Sequence, residues 1–354
     1  MKRVICAPST YIQGPGERKH LAEYYMNYGT EGACMIQDPF VSETYGTEIE
    51  ASFREKKIPF VTEVFKGECC LEEINGIMGQ MGKADVIFGI GGGKVQDTAK
   101  AAGYFSGLPV IIVPTAASTD APCSRLSVLY KKNRTFDRYL ELKENPRMVV
   151  VDTEVIANSP ARMFAAGMGD ALSTWYEASA CARTGAVTRA GGGVSAAALA
   201  LARACLEVIL EWGPQALEDV KKKRCTQAVE QVTEANTYLS GIGFESGGLA
   251  GAHGLHNGLS LFPEAASVMH GEKVAFCTLV QMILEGRKEE EIETVRAFCR
   301  KVGLPVSLAD LGLEHIEEEK LLEAAKKSLS QEETMKNLGL QLTPEEIVKV
   351  MRNL

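Results

Sequence analysis

The chain has 354 residues, a formal net charge of −8, 45% hydrophobic residues and 24% charged residues. That length exceeds one comfortable core and implies two domains, while the composition is that of a globular protein. The negative balance excludes nucleic acid and anionic membranes as partners, because both require a basic face.

The N-terminal stretch Met1 to Pro8 has too few apolar residues before the proline to form a secretory segment. From there to about residue 150, short β-rich runs alternate with helix-like stretches. Gly32–Ile36, Ile58–Val61, Ala84–Phe88, Leu108–Val113 and Arg147–Val151 read as strands. Several are continuously apolar, as expected of strands covered by helices on both faces. Thr47–Lys57 and Asp97–Phe105 read as helices between them. The alternation predicts a doubly wound, mostly parallel, Rossmann-like α/β domain over residues 1–160.

The strand Ala84–Phe88 runs into Gly89-Ile-Gly91-Gly92-Gly93-Lys94, with a helix expected to begin near Asp97. This is neither a G-x-G-x-x-G fingerprint nor a Walker loop. It still has the parts an anion site needs: glycines that let a ligand approach the backbone, a helix N-terminus, and the charge of Lys94. A tight turn with no ligand is the alternative. After the next strand comes a loop dense in hydroxyls, Pro114-Thr115-Ala-Ala-Ser118-Thr119-Asp120-Ala-Pro-Cys-Ser124. It sits where open α/β sheets bind ligands, although ordinary loops are also polar. Asp38, at the end of the first strong strand, is placed to accept ribose hydroxyls and repel a 2′-phosphate, or simply to start a turn.

Beyond residue 160 the strand signal disappears, and residues 161–354 read as an all-helical domain. Ala178–Leu210 is rich in alanine and leucine with a break at Gly191-Gly192-Gly193, and Lys221–Leu239 and Glu289–Val302 carry helical periodicity. Ala196–Leu210, the most apolar segment, is interrupted by Arg203 and Glu207 and is too short to cross a bilayer. The run Lys221-Lys-Lys-Arg224 reads as a solvated face. Thr343-Pro-Glu-Glu346 reads as a capping box opening the last helix. Ten cysteines at irregular spacing, with no C-x-x-C pair, fit buried free thiols in a reducing compartment and a cytoplasmic location.

Three of the five histidines, His253, His256 and His270, lie close together in glycine-rich surroundings. Imidazole is the commonest protein ligand for zinc, so His253 and His270 are candidate ligands. His256 lies on a neighbouring face if this segment is helical, as a proton carrier or as a buried structural histidine. His20 and His315 read as surface residues. Glu272 and Lys273 either orient His270 or form a surface ion pair.

Gly89–Lys100, Pro114–Ser127, Gly167–Trp175, Phe244–Leu249, Ala252–Gly258 and His270–Ala275 together resemble the glycerol dehydrogenases of the iron-containing (group III) alcohol dehydrogenase superfamily. The resemblance implies an NAD-binding α/β domain, a helical metal-binding domain and an active site in the cleft between them. It implies that Gly93 and Lys94 contact the NAD pyrophosphate and that Asp38 meets the adenosine ribose. Asp97, Thr115, Ser118, Ser124, Leu126 and Tyr130 would line the rest of the cofactor path. Asp120 would contact the substrate polyol, and Asp170, His253 and His270 would hold the metal.

Asp170, in Gly167-Met-Gly-Asp-Ala, reads as lying at the start of a helix, where an N-cap role is the alternative. Iron-dependent relatives commonly place a further ligating histidine four residues after this aspartate, where this chain has Thr174. Three protein ligands and an open position suit catalytic zinc, and one Zn²⁺ per subunit is expected. The implied activity is reversible NAD-dependent oxidation of glycerol or a related vicinal diol by a homo-oligomer. The alternatives are a polyol-phosphate dehydrogenase, a dehydroquinate synthase-type lyase and a non-catalytic NAD-binding protein. The stretch Ala165–Ala182 contains no lysine or arginine, which favours an uncharged substrate.

Overall fold

A computed structural model describes residues 2–354. Six strands form one sheet: β1 (Thr10–Gly14), β2 (Ala33–Gln37), β3 (Phe60–Val64), β4 (Val86–Gly91), β5 (Val110–Pro114) and, last in the chain, Met148–Asp152. Two further strands, β6 (Leu126–Tyr130) and β7 (Phe136–Glu141), make a separate antiparallel hairpin, so Met148–Asp152 is β8. The sheet order is β1-β8-β5-β4-β2-β3, and every neighbouring pair is parallel.

Alternate residues of each strand enter different apolar clusters, as the two-residue repeat of a strand requires. Cys34, Ile36, Ile87, Ile112, Val149 and Val151 face one side, while Met35, Phe88, Ile111, Val113 and Val150 face the other. The five expected strands are present, with each end displaced by one to three residues. The edge strand β1 and the hairpin carry no comparable signal. β1 reads Thr-Tyr-Ile-Gln-Gly and is only partly buried, and β7 is largely exposed, so neither needs an apolar run.

From β2 the chain adds β3 on one side and returns to add β4 on the other. The C-terminal ends of β2 and β4 therefore flank a topological switch point, the usual ligand crevice of such sheets.

Beyond β8 the regular elements are helices. They include Ala161–Thr184, Ala196–Lys221, Gly251–Leu259, His270–Leu284, Glu289–Val302 and Pro344–Asn353. Thr343 and Glu346 form the expected capping box. The helical stretch Gln227–Gly247 contains a π turn at Ala235–Leu239. The break at Gly191–Gly193 is a turn held to the N-terminal segment before β1, with Gly193 N–H donating to Lys2 O at 2.9 Å. The basic run is exposed as expected, but Lys223 also caps a helix end by donating to Asn158 O and Ser159 O, each at 2.9 Å. All ten cysteines are free thiols and, apart from Cys6 and Cys225, buried. No helix among the described residues is long and apolar enough to cross a membrane.

One apolar cluster continues from the sheet into the helix Ala161–Thr184 through Phe164, Met168 and Leu172. This helix meets two other backbones at glycines. A Cβ on Gly167 would lie 1.9 Å from Ala117 O, and one on Gly271 would lie 1.9 Å from Ala166 O. Both contacts are backbone, so no side chain can yield. Gly167→Ala is expected to destabilise the protein by about 1–3 kcal/mol and to loosen the loop after β5. Urea unfolding of the variant against wild type checks this, and an unchanged midpoint would rule out the contact as a constraint.

Candidate active site

At the switch point, β4 ends in the glycine run, and the following helix spans Gly93–Ser106. It begins at Gly93 rather than near Asp97, so Lys94 lies in its first turn. The glycines serve different ends. A Cβ on Gly89 would meet Ala99 Cβ at 2.5 Å, and one on Gly91 would meet Asp38 Oδ2 at 2.8 Å, so packing requires both. A Cβ on Gly92 or Gly93 would meet nothing within 4 Å, and neither has positive φ. The space over that helix N-terminus is open to an anionic ligand, whose charge the helix dipole favours.

Asp38 caps the helix Pro39–Thr44, accepting from Val41 N at 2.8 Å. Burial raises its carboxyl pKa, and the N–H groups of Val41, Gly92 and Phe40 offset part of the rise. The capping role and a position beside the glycine run therefore coexist. Lys94 is exposed, pairs with Glu68 at 2.7 Å and lies 5.5 Å from the centre of the Tyr130 ring.

Asp97 points inward. Its Oδ1 pairs with Lys100 at 3.0 Å, and its Oδ2 accepts from Val128 N at 3.1 Å. Lys100, itself buried, donates to Ala121 O and Leu126 O and approaches Ser124 Oγ. These bonds fix the segment Asp120–Tyr130 to the glycine helix.

The loop after β5 joins this crevice to the histidines. Thr115 N–H donates to Gly91 O at 3.3 Å, Ala117 O accepts from Asn236 at 2.9 Å, and Ser118, the next residue, is half-buried. Asp120 N–H, at the loop's far end, donates to Asp170 Oδ2 at 3.3 Å.

Asp170 is in the middle of Ala161–Thr184, not at its start. Gly167 and Gly169 suggested a helix beginning, but they mark close backbone crossings within the helix. His253 comes from Gly251–Leu259, and His270 is the first residue of His270–Leu284. One ligating atom from each of Asp170, His253 and His270 lies within 4.8 Å of the others. Asp170 Oδ1 is 3.1 Å from His270 Nε2 and 3.5 Å from His253 Nε2. It is nonetheless buried without a well-aligned hydrogen bond. An acceptor oxygen and two imidazole nitrogens converging on an unsatisfied point fit a divalent cation. Burial would raise the Asp170 pKa, but the His270 and then His253 imidazoles hold it well below the usual range.

Glu177, which no motif indicated, completes the setting. Its fully buried carboxylate lies 2.6 Å from His253 Nδ1 and also accepts from Ala250 N and His253 N. A carboxylate behind a ligating imidazole fixes the tautomer and raises ligand basicity. The available signal was its position seven residues after Asp170, two turns along the same helix face. Burial opposes protonation of His253, yet Glu177 and then Asp170 raise its pKa well above the ordinary imidazole value.

Asp120 is buried, and burial together with Asp170 raises its carboxyl pKa well above the usual range. Its Oδ2 accepts from Ser240 Oγ at 2.9 Å, and Ser240 Oγ shares a 2.9 Å hydrogen bond with Thr174 Oγ1. The Thr174 position thus supports Asp120 and offers no nitrogen ligand.

His256 approaches His270 ring to ring, with Nε2 3.0 Å from His270 Nδ1. Glu272 does not orient His270; it pairs with Arg162 and accepts from Met269 N. Lys273 is nearly buried with no ion-pair partner among the described residues, and burial lowers its ammonium pKa. His20 and His315 are exposed.

Two expectations follow. Glu177→Gln should weaken divalent-metal affinity about 10–100-fold without unfolding the protein, as chelator competition beside thermal melting would show. Because a raised His253 pKa favours a proton where a metal must bind, metal affinity should fall as pH drops from about 8 to 6, with proton release on binding. Competition titrations across that range would contradict this if they were flat.

Residues 8–153 match the family described as iron-containing alcohol dehydrogenase. Over 349 residues the chain is 47% identical to the glycerol dehydrogenase of Escherichia coli O6:H1, covering 98% of this chain and 95% of that one. It is 45% identical to the glycerol dehydrogenase of Thermotoga maritima, with 96% and 93% coverage. The crystal structure of glycerol dehydrogenase from Schizosaccharomyces pombe superposes with a TM-score of 0.95 at 36% identity, covering 99% of this chain and 89% of that one. The chain belongs to the iron-containing alcohol dehydrogenase superfamily, in its glycerol dehydrogenase branch.

Proposed function

We infer that the protein catalyses reversible NAD-dependent oxidation of glycerol, or a closely related vicinal diol, to the hydroxyketone. The observation that carries this reading is the unsatisfied Asp170 Oδ1 between two imidazoles, joined through Asp120 to the loop that leaves the glycine crevice. Residues 1–160 would hold NAD, with Gly93 and Lys94 at the pyrophosphate and Asp38 near the ribose. Asp97, Thr115, Ser118, Ser124, Leu126 and Tyr130 would shape or support the remaining path. Residues 161–354 would hold the metal on Asp170, His253 and His270.

Zinc suits this donor set. Three protein ligands of oxygen and nitrogen leave a position open, and Thr174, engaged with Ser240, cannot supply a fourth. When bound, such an ion would supply Lewis acidity toward a substrate hydroxyl, and NAD would supply the hydride acceptor.

The residues of the chain supply placement. Asp120, held by Ser240, is positioned to bond a second substrate hydroxyl and so to prefer diols over simple alcohols. Glu177 keeps the His253 proton on Nδ1, leaving Nε2 free to ligate. The floor formed by Asp170 and Thr174 is about 1% exposed, and its dryness strengthens each electrostatic contact. The nearest cations on the Asp170 helix, Arg162 and Arg183, are at its ends and paired with Glu272 and Glu285. That arrangement favours an uncharged polyol over a phosphorylated one. Free thiols support a cytoplasmic location, and we also propose a homo-oligomer.

Zinc-loaded protein should form NADH with glycerol and with 1,2-propanediol, and His270→Ala should lose both bound zinc and turnover while remaining folded. Turnover confined to glycerol 1-phosphate would replace the proposed substrate. Full activity of metal-free His270→Ala would refute the metal assignment.

A further inference from the structure

The two histidine ligands are backed differently. His253 Nδ1 meets the Glu177 carboxylate directly, whereas His270 Nδ1 meets another imidazole, His256 Nε2, at 3.0 Å. His256 Nδ1 lies 3.2 Å from Asn257 Oδ1, and Asn257 Nδ2 donates to Glu333 Oε2 at 2.7 Å. Glu333 is nearly buried, with Lys327 3.6 Å from its other oxygen. The following turn is anchored to the start of the histidine helix, with Thr334 bonding Ala250 O and Asn337 bonding Leu249 O.

The chemistry of these groups gives the chain a direction. A carboxylate only accepts, so Asn257 must turn its NH₂ to Glu333 and its carbonyl oxygen to His256. That oxygen can only accept, so His256 carries its proton on Nδ1, and its Nε2 is a lone pair. The lone pair can accept only from His270 Nδ1–H, which leaves His270 Nε2 unprotonated and aimed toward Asp170. Reversing any member would place two donors or two acceptors face to face.

We propose that Glu333, acting through Asn257 and His256, is a positioning residue that sets the tautomer of His270 and thereby prepares its Nε2 to bind metal. The inference rests on the assignment of His270 as a metal ligand. It gives His256 a role as an acceptor within a fixed chain. It also gives a function to a carboxylate more than sixty residues away in sequence from His270.

The test uses zinc-loaded, ¹⁵N-histidine-labelled protein, in which long-range ¹H–¹⁵N spectra distinguish the two tautomers of each of the five histidines. His256 is expected in the Nδ1–H form. Glu333→Leu should abolish that preference and raise the zinc Kd about tenfold, the lower range for loss of an outer-shell partner. Its affinity for NAD should be unchanged. Glu333→Gln retains a carbonyl acceptor for Asn257 and should stay close to wild type. An Nε2–H His256 in wild type, which needs no variant to fold, or undiminished zinc affinity in Glu333→Leu, would overturn the proposal. Failure of the wild type to take up zinc would instead remove the ligand assignment on which it rests.

Discussion

The close approach of three backbones around Asp170 is the constraint on which the site depends. The helix carrying this aspartate touches the loop after β5 at Gly167 and the start of the His270 helix at Gly169 and Gly271. Any side chain at these glycines would push the loop or the second histidine helix away. The contact buries a carboxylate, which costs several kcal/mol unless charge and hydrogen bonds compensate. The Asp120 N–H satisfies one oxygen, while the other faces the two imidazole Nε2 atoms without a well-aligned hydrogen bond. That residual deficit is what makes the position attractive to a cation.

The same contact links the two halves chemically. Asp120 lies on a loop that leaves a strand of the parallel sheet, yet its backbone N–H touches a residue of the helical half. Its carboxyl is held by Ser240 from the helix following the π turn, and Ser240 is bonded in turn to Thr174. The loop that leaves the glycine crevice, Asp170 and Asp120 are therefore parts of one hydrogen-bonded assembly. Lys100 performs a comparable task on the sheet side, where its buried ammonium ties the segment after Asp120 to the glycine helix. Both ties act on one short continuous stretch, Asp120 to Leu126.

Glycine shows how one residue type serves opposite purposes within a few positions. Gly89 and Gly91 are filled against protein atoms, so their role is packing. Gly92 and Gly93 face open space at a helix N-terminus, where a side chain would meet no protein atom. The histidines are similarly unequal: His253 is backed by a charge, His270 by a neutral ring, and His256 supports His270.

Much of this was legible in the sequence. Buried parallel strands need apolar runs, so β2, β4, β5 and β8 announced themselves, and the capping box at Thr343 marked the last helix. The candidate ligands were visible because imidazoles in small surroundings are chemically distinctive, and Asp170 joined them through family resemblance. The edge strand, the hairpin and the first turn of the glycine helix carried weaker patterns, since exposed or ligand-facing backbone needs no apolar signature. Asp170 was expected at a helix start because flanking glycines signal turns as readily as close crossings, and local sequence cannot distinguish the two. Ser240 and Glu333 could not be singled out at all, and Glu177 only by its spacing from Asp170 along one helix face. Each acts through a contact between segments separated by tens of residues, and a carboxylate or hydroxyl has no local pattern that names its partner. Residue types thus determined which groups could do the chemistry, and only the packing of helices decided which of them face one another.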